Sequence, residues 1–82
     1  MDHTLKYLRE SLSNYSENEM CQQIIAKLEE NQYSEEIEFV KDLSEEEISY
    51  LDQVLENELD YARNAQDEVR TKQLLEVFEQ LF

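Results

Sequence analysis

The chain has 82 residues, a formal net charge of −14 at pH 7 from 21 Asp and Glu against seven Lys and Arg, and neither glycine nor proline. Glycine and proline shape phosphate-cradling loops and strained catalytic turns, so this composition argues against most sites of that kind. The scarcity of Lys and Arg to displace counterions from a phosphate backbone argues against direct binding to nucleic acid or to an anionic membrane.

Hydrophobic residues at 40 %, with five Tyr and three Phe, are too many for a disordered acidic tail. The expectation is one all-α domain over 1–82, a small irregular bundle of three or four helices with a long C-terminal helix. Its core should be thin, since a chain of this length buries roughly 60 % of the surface its unfolded form exposes.

Leu5, Leu8, Leu12 and Tyr15 recur at spacings of three and four and predict a first helix, capped by Asp2 or Thr4 and ending near Asn14. Ser16-Glu17-Asn18-Glu19 has the spacing of a capping box, in which hydroxyl and carboxylate satisfy reciprocal backbone amides. It predicts a second helix with Met20, Cys21, Ile24, Ile25 and Leu28 facing inward. Asn31-Gln32 weakens that pattern, and Tyr33-Ser34 offers a turn and a new cap. Glu35 and Glu36 suit the positive end of a helix dipole, and Ile37, Phe39, Val40 and Leu43 complete a short third helix.

Ser44-Glu45-Glu46-Glu47 is a second capping box and opens the longest periodic run. Ile48, Leu51, Leu55, Ala62, Ala65 and Val69 follow a heptad-like course with Glu58 interrupting it, and Val54, Leu59 and Tyr61 widen the face. The phase slips after Val69, because the next apolar set is Leu74, Leu75, Val77, Phe78, Leu81 and Phe82. With no glycine or proline between Asn64 and Thr71, one long and bent helix is expected rather than two.

Catalytic chemistry has little to draw on. His3 is the lone histidine and lies near the terminus, whereas a metal site needs several convergent ligands and a catalytic imidazole an orienting partner. Cys21 stands beside Met20 and in register with Ile24 and Ile25, the setting of a small buried hydrophobe, and no basic neighbour lowers its pKa. The acidic helix starts lack the glycine-bearing loop of a calcium site, so clustered carboxylates imply loose cation attraction only. No enzyme activity, cofactor or metal is expected.

A contact role has more support. Eleven acids and one base, Lys41, fall between Glu35 and Asp60, a surface suited to a basic partner. Ala62 and Ala65 make a narrow step that lets another helix approach, and the set from Leu74 to Phe82 is more apolar than one side of a thin helix needs. The candidate partner-binding residues are therefore Glu45, Glu46, Glu47, Ala62, Ala65, Leu74, Phe78 and Phe82. The partner would be a basic or amphipathic helix, or a second copy in a homodimer. A single cysteine, no apolar run behind a basic start and no stretch of roughly 20 apolar residues suggest an intracellular protein.

The opening from Asp2 to Gln22, notably Tyr7-Leu8-Arg9-Glu10-Ser11-Leu12-Ser13-Asn14 and Glu17-Asn18-Glu19, carries a resemblance, as do Glu38-Phe39-Val40-Lys41-Asp42-Leu43, Val54-Leu55-Glu56 and Glu76-Val77. The chain resembles the sigma-G-dependent, sporulation-specific acid-soluble spore protein family of bacilli along essentially its full length. That resemblance implies expression in the forespore late in sporulation and a place in the spore core, and assigns no catalytic or binding residue. DNA protection, known from other acid-soluble spore proteins, is not implied, because this chain lacks both their glycines and a basic surface. Acid solubility follows from composition. Below the carboxyl pKa values near 4 the 21 acids neutralise, and about eight positive side-chain charges remain. Two roles fit: a helical protein-interaction module, or a structural or reserve protein of the spore core without a specific partner.

Overall fold

In the computed structural model, which describes residues 3–31 and 33–81, helices α1 (His3–Leu12), α2 (Glu19–Glu30), α3 (Glu36–Lys41), α4 (Glu45–Asn64) and α5 (Glu68–Gln80) follow one another, with a 3₁₀ turn at Ser13–Tyr15. No strand occurs among the described residues. The all-α expectation stands, but the described residues form five α-helices rather than three or four, and the expected long C-terminal helix is broken into α4 and α5.

The inward stripes of the first two helices are as the spacing predicts. Leu5, Leu8 and Leu12 of α1 and Cys21, Ile24 and Leu28 of α2 are fully buried, with Tyr15, Met20 and Ile25 half-buried against them. The caps differ. Thr4 lies inside α1 and is buried, its hydroxyl 2.6 Å from Gln73 Oε1 and 2.8 Å from Glu76 Oε2, so it ties α1 to α5 instead of capping. Asp2, the other expected cap, lies outside the described residues.

At α2 the N-cap is Asn18, not Ser16. Asn18 has extended backbone angles, and its Oδ1 accepts from the amides of Met20 at 2.8 Å and Cys21 at 3.2 Å. One short side chain thus satisfies two orphan donors at the helix start, as many as a box closed from Ser16 would satisfy with two side chains. At α3 the N-cap position is Glu35, without a side-chain cap, and Ser34 instead donates its amide to Glu38 Oε2 at 3.3 Å. This short helix is held by tertiary contact: Phe39 is fully buried, with the Tyr33 ring edge-on 5.6 Å away.

The capping box at Ser44 forms as its spacing predicts. The Glu47 amide donates to Ser44 Oγ at 3.2 Å, and the Ser44 amide donates to Glu47 Oε1 at 2.9 Å. From there Leu51, Val54, Leu55, Leu59 and Ala62 face the core. The heptad course stops at Ala62: Ala65 is exposed, Val69 is 59 % exposed and Tyr61 76 %.

The expected long helix breaks because Gln66 adopts the left-handed conformation, φ 57°. The Gln66 amide donates to the Arg63 carbonyl at 3.1 Å, and the Asp67 amide reaches back to the Ala62 carbonyl at 2.8 Å. These are the two hydrogen bonds of a Schellman C-cap, with glutamine where glycine is usual. Asp67 then caps α5, its Oδ1 accepting from the Arg70 amide at 3.0 Å. Reversing the chain here brings Leu74 and Val77, both fully buried, into the middle of the molecule, where α5 packs against α1, α3 and α4.

Candidate contact surface

The acidic start of α4 is divided by burial. Glu45 and Glu46 are exposed, whereas Glu47 is 4 % exposed and its Oε1 accepts from Lys27 Nζ at 2.6 Å. Lys27 Nζ also donates to the Asp42 carbonyl at 2.7 Å. Burial works against the Glu47 charge, but hydrogen bonds from Lys27 and the Ser44 amide, with the Lys27 charge, outweigh it and hold the carboxyl below its ordinary value. Glu47 is thus occupied in joining α2 to α4, and the solvent-facing part of this cluster is Glu45 and Glu46.

The remaining candidates lie elsewhere. Sixteen residues of α4 at 1.5 Å each separate Glu46 from Ala62 by ~24 Å, so the acidic start and the alanine step do not form one groove. Ala62 is buried, Leu74 is fully buried in the core, Ala65 is exposed and Phe78 is half-buried. Phe82 lies outside the described residues.

Where α5 turns back along α4, the structure shows a feature that the sequence reading missed. A depression of about 850 Å³ lies along the seam between Ala62 and Arg63 on one side and Leu75 and Lys72 on the other. A smaller one of about 300 Å³ follows it toward Leu59 and Phe78, with Arg63 and Leu75 shared by both. The sequence signal for it was the phase slip itself, which sets Leu75 and Phe78 off the face that buries Leu74 and Val77.

A second polar cluster lies beneath the 3₁₀ turn. Glu58, 8 % exposed, accepts from Asn14 Nδ2 and from the Tyr15 hydroxyl, each at 3.3 Å. Burial, then the neighbouring Glu58 charge, raises the Tyr15 pKa. Cys21 Sγ donates to the Leu12 carbonyl at 3.1 Å, and burial raises its pKa despite an opposing hydrogen bond with Tyr50. Tyr50 itself is pushed up to about 12, by burial and then by Cys21. A thiol shifted upward carries less thiolate, so Cys21 is placed as a buried hydrophobe and not as a nucleophile. Among the described residues no group of three or more His, Cys, Asp or Glu is placed to hold a metal ion, and no helix is long and apolar enough to cross a membrane.

Residues 1–82 match the family model described as CsgA: Minor curli fiber component A. A protein of Bacillus subtilis (strain 168), the sigma-G-dependent sporulation-specific SASP protein, is 57 % identical over 81 residues, which is 99 % of each chain. No solved structure matches.

Proposed function

The chain matches the family described as Minor curli fiber component A over residues 1–82 and belongs to one family with the sigma-G-dependent sporulation-specific SASP protein, and on that premise we propose that it is a forespore-expressed, acid-soluble, non-enzymatic spore protein that acts as a helical protein-interaction module. The observation that carries the interaction reading is the seam between α4 and α5, where half-buried Leu75 and Phe78 border a depression rimmed by exposed acids. An apolar strip left beside a strongly charged rim is the usual form of a contact surface. The fibre in the family's description is not part of this reading.

The runner-up is a structural or reserve protein of the spore core, favoured by a net charge of −14, which attracts cations loosely, with no group of metal ligands among the described residues. A tagged pull-down from sporulating cells, read by mass spectrometry at low and high salt, separates the two. A stoichiometric, salt-sensitive partner retained by Glu45→Lys/Glu46→Lys but lost in Glu68→Lys/Glu79→Lys supports the module and its seam. Recovery of the bait alone, with high abundance and rapid loss on germination, supports the reserve reading.

A further inference from the structure

We infer that the seam between α4 and α5 takes a basic amphipathic helix of about three turns, laid lengthwise between the two helices; this rests on the interaction reading and names its partner. The floor is apolar: Leu59 and Ala62 from α4, Leu75 and Phe78 from α5. Exposed carboxylates stand on both walls, Glu56 and Asp60 on α4 and Glu68 and Glu79 on α5. Arg63 and Lys72 are the cations among the lining residues.

Length sets the size of the occupant. Glu68 and Glu79 are eleven residues apart on one helix, ~16 Å, which a bound helix spans in about eleven residues. Apolar anchors at i, i+3 or i+4 and i+7 would meet Leu59, Ala62 and Leu75 along the floor. Lys and Arg on both flanks of such a helix would face the two acidic walls. The buried, small Ala62 gives the occupant its closest approach, the role foreseen for the alanine step, while exposed Ala65 lies beyond the groove.

Charge decides between this occupant and a second copy. Two copies joined through the same face would bring acidic walls against acidic walls, on chains that each carry −14. Like charges placed across an interface oppose association, whereas a cationic helix gains from both walls.

The test uses the full chain and two synthetic peptides of fourteen residues. One is built from Leu and Lys, with Leu at i, i+3, i+4 and i+7; the other has the same composition scrambled to destroy the apolar face. Binding is followed by backbone amide NMR and fluorescence anisotropy. The expected result is saturable binding of the first peptide, with the largest shifts at Ala62, Leu75 and Lys72, and at least tenfold weaker binding of the scramble. Glu68→Lys/Glu79→Lys, with circular dichroism unchanged, should weaken the amphipathic peptide about tenfold, and Glu45→Lys/Glu46→Lys should weaken it far less.

Equal binding of both peptides, shifts centred on Glu45 and Glu46, or no binding would overturn the inference. Concentration-dependent shifts of the seam without peptide would assign it to a second copy and overturn it equally. A stoichiometric partner in the pull-down together with no peptide binding would leave the interaction reading intact and remove this one alone.

Discussion

Glu47 shows how one residue can be legible in the sequence for one role and hidden for another. Its place three residues after Ser44 identifies a capping box, and the box is there. What the spacing cannot show is Lys27, twenty residues away, whose Nζ turns a surface acid into a buried one. The same carboxylate oxygen serves the Ser44 amide and Lys27, and a glutamine there keeps an acceptor oxygen for both but loses the charge that strengthens them. Glu47→Gln should lower stability by about 1–3 kcal/mol, since the loss includes a cation left beside a neutral amide in a partly buried place. Lys27 is one-third exposed and water screens part of the pairing, which keeps the expected loss toward the lower end. The pH dependence follows from the direction of the shift. A carboxyl lowered in the folded state stabilises above its unfolded pKa, and that contribution is lost as pH falls from the usual carboxyl range through the lowered value. Thermal melts of the wild-type chain between neutral pH and pH 3 should therefore converge toward those of Glu47→Gln as acid is added. Curves that stay parallel would show that Glu47 is not bound more tightly to its charge in the folded state.

At the scale of the helix, sequence reading succeeded where burial and cap agreed and failed where several caps were on offer. Ser16-Glu17-Asn18-Glu19 contains two good caps two residues apart, and nothing local ranks them. The structure chooses Asn18, whose Oδ1 reaches two amides, and Ser16 contributes only a backbone carbonyl to Gln22. Asn18→Ala should cost about 1 kcal/mol and Ser16→Ala close to nothing, a contrast that chemical denaturation reads directly. The break between α4 and α5 was missed for a different reason. Absence of glycine argues for continuity, yet a left-handed residue other than glycine costs only about 1–2 kcal/mol, less than leaving Leu74 and Val77 in water. The phase slip after Val69 was the truer signal, because two faces out of register on one rod cannot both be buried. Gln66→Gly should relieve that strain and raise stability by about 1 kcal/mol, or roughly 4–8 °C in Tm. A lower Tm would mean that the Gln66 side chain contributes contacts worth more than its backbone costs.

For the molecule as a whole the deciding quantity is charge confined in a small volume. The chain has a radius of gyration of 11.6 Å and extents of 31 × 26 × 22 Å, and it carries −14. Three ion pairs are present among the described residues, Arg9 with Glu29, Lys27 with Glu47 and Arg70 with Asp67, and only that of Glu47 is buried on its acid side. Most carboxylates therefore repel one another across distances comparable to the molecule. Counting acids along the chain puts Glu45 to Glu47 with the alanine step, whereas the fold sets them at opposite ends of a twenty-residue helix. The repulsion itself is testable by salt. The Debye length is about 30 Å at 0.01 M and about 3 Å at 1 M, so sodium chloride across that range takes the acids from mutual view to near isolation. The Lys27–Glu47 contact, short and partly buried, is screened much less. Tm at pH 7 should rise with salt, and rise less in Glu45→Lys/Glu46→Lys, whose net charge is smaller in magnitude. A flat or falling Tm would mean that the few attractive pairs, and not the diffuse repulsion, govern the electrostatics of the fold. In that case the acids along the seam would also be too weak a field to select a cationic helix.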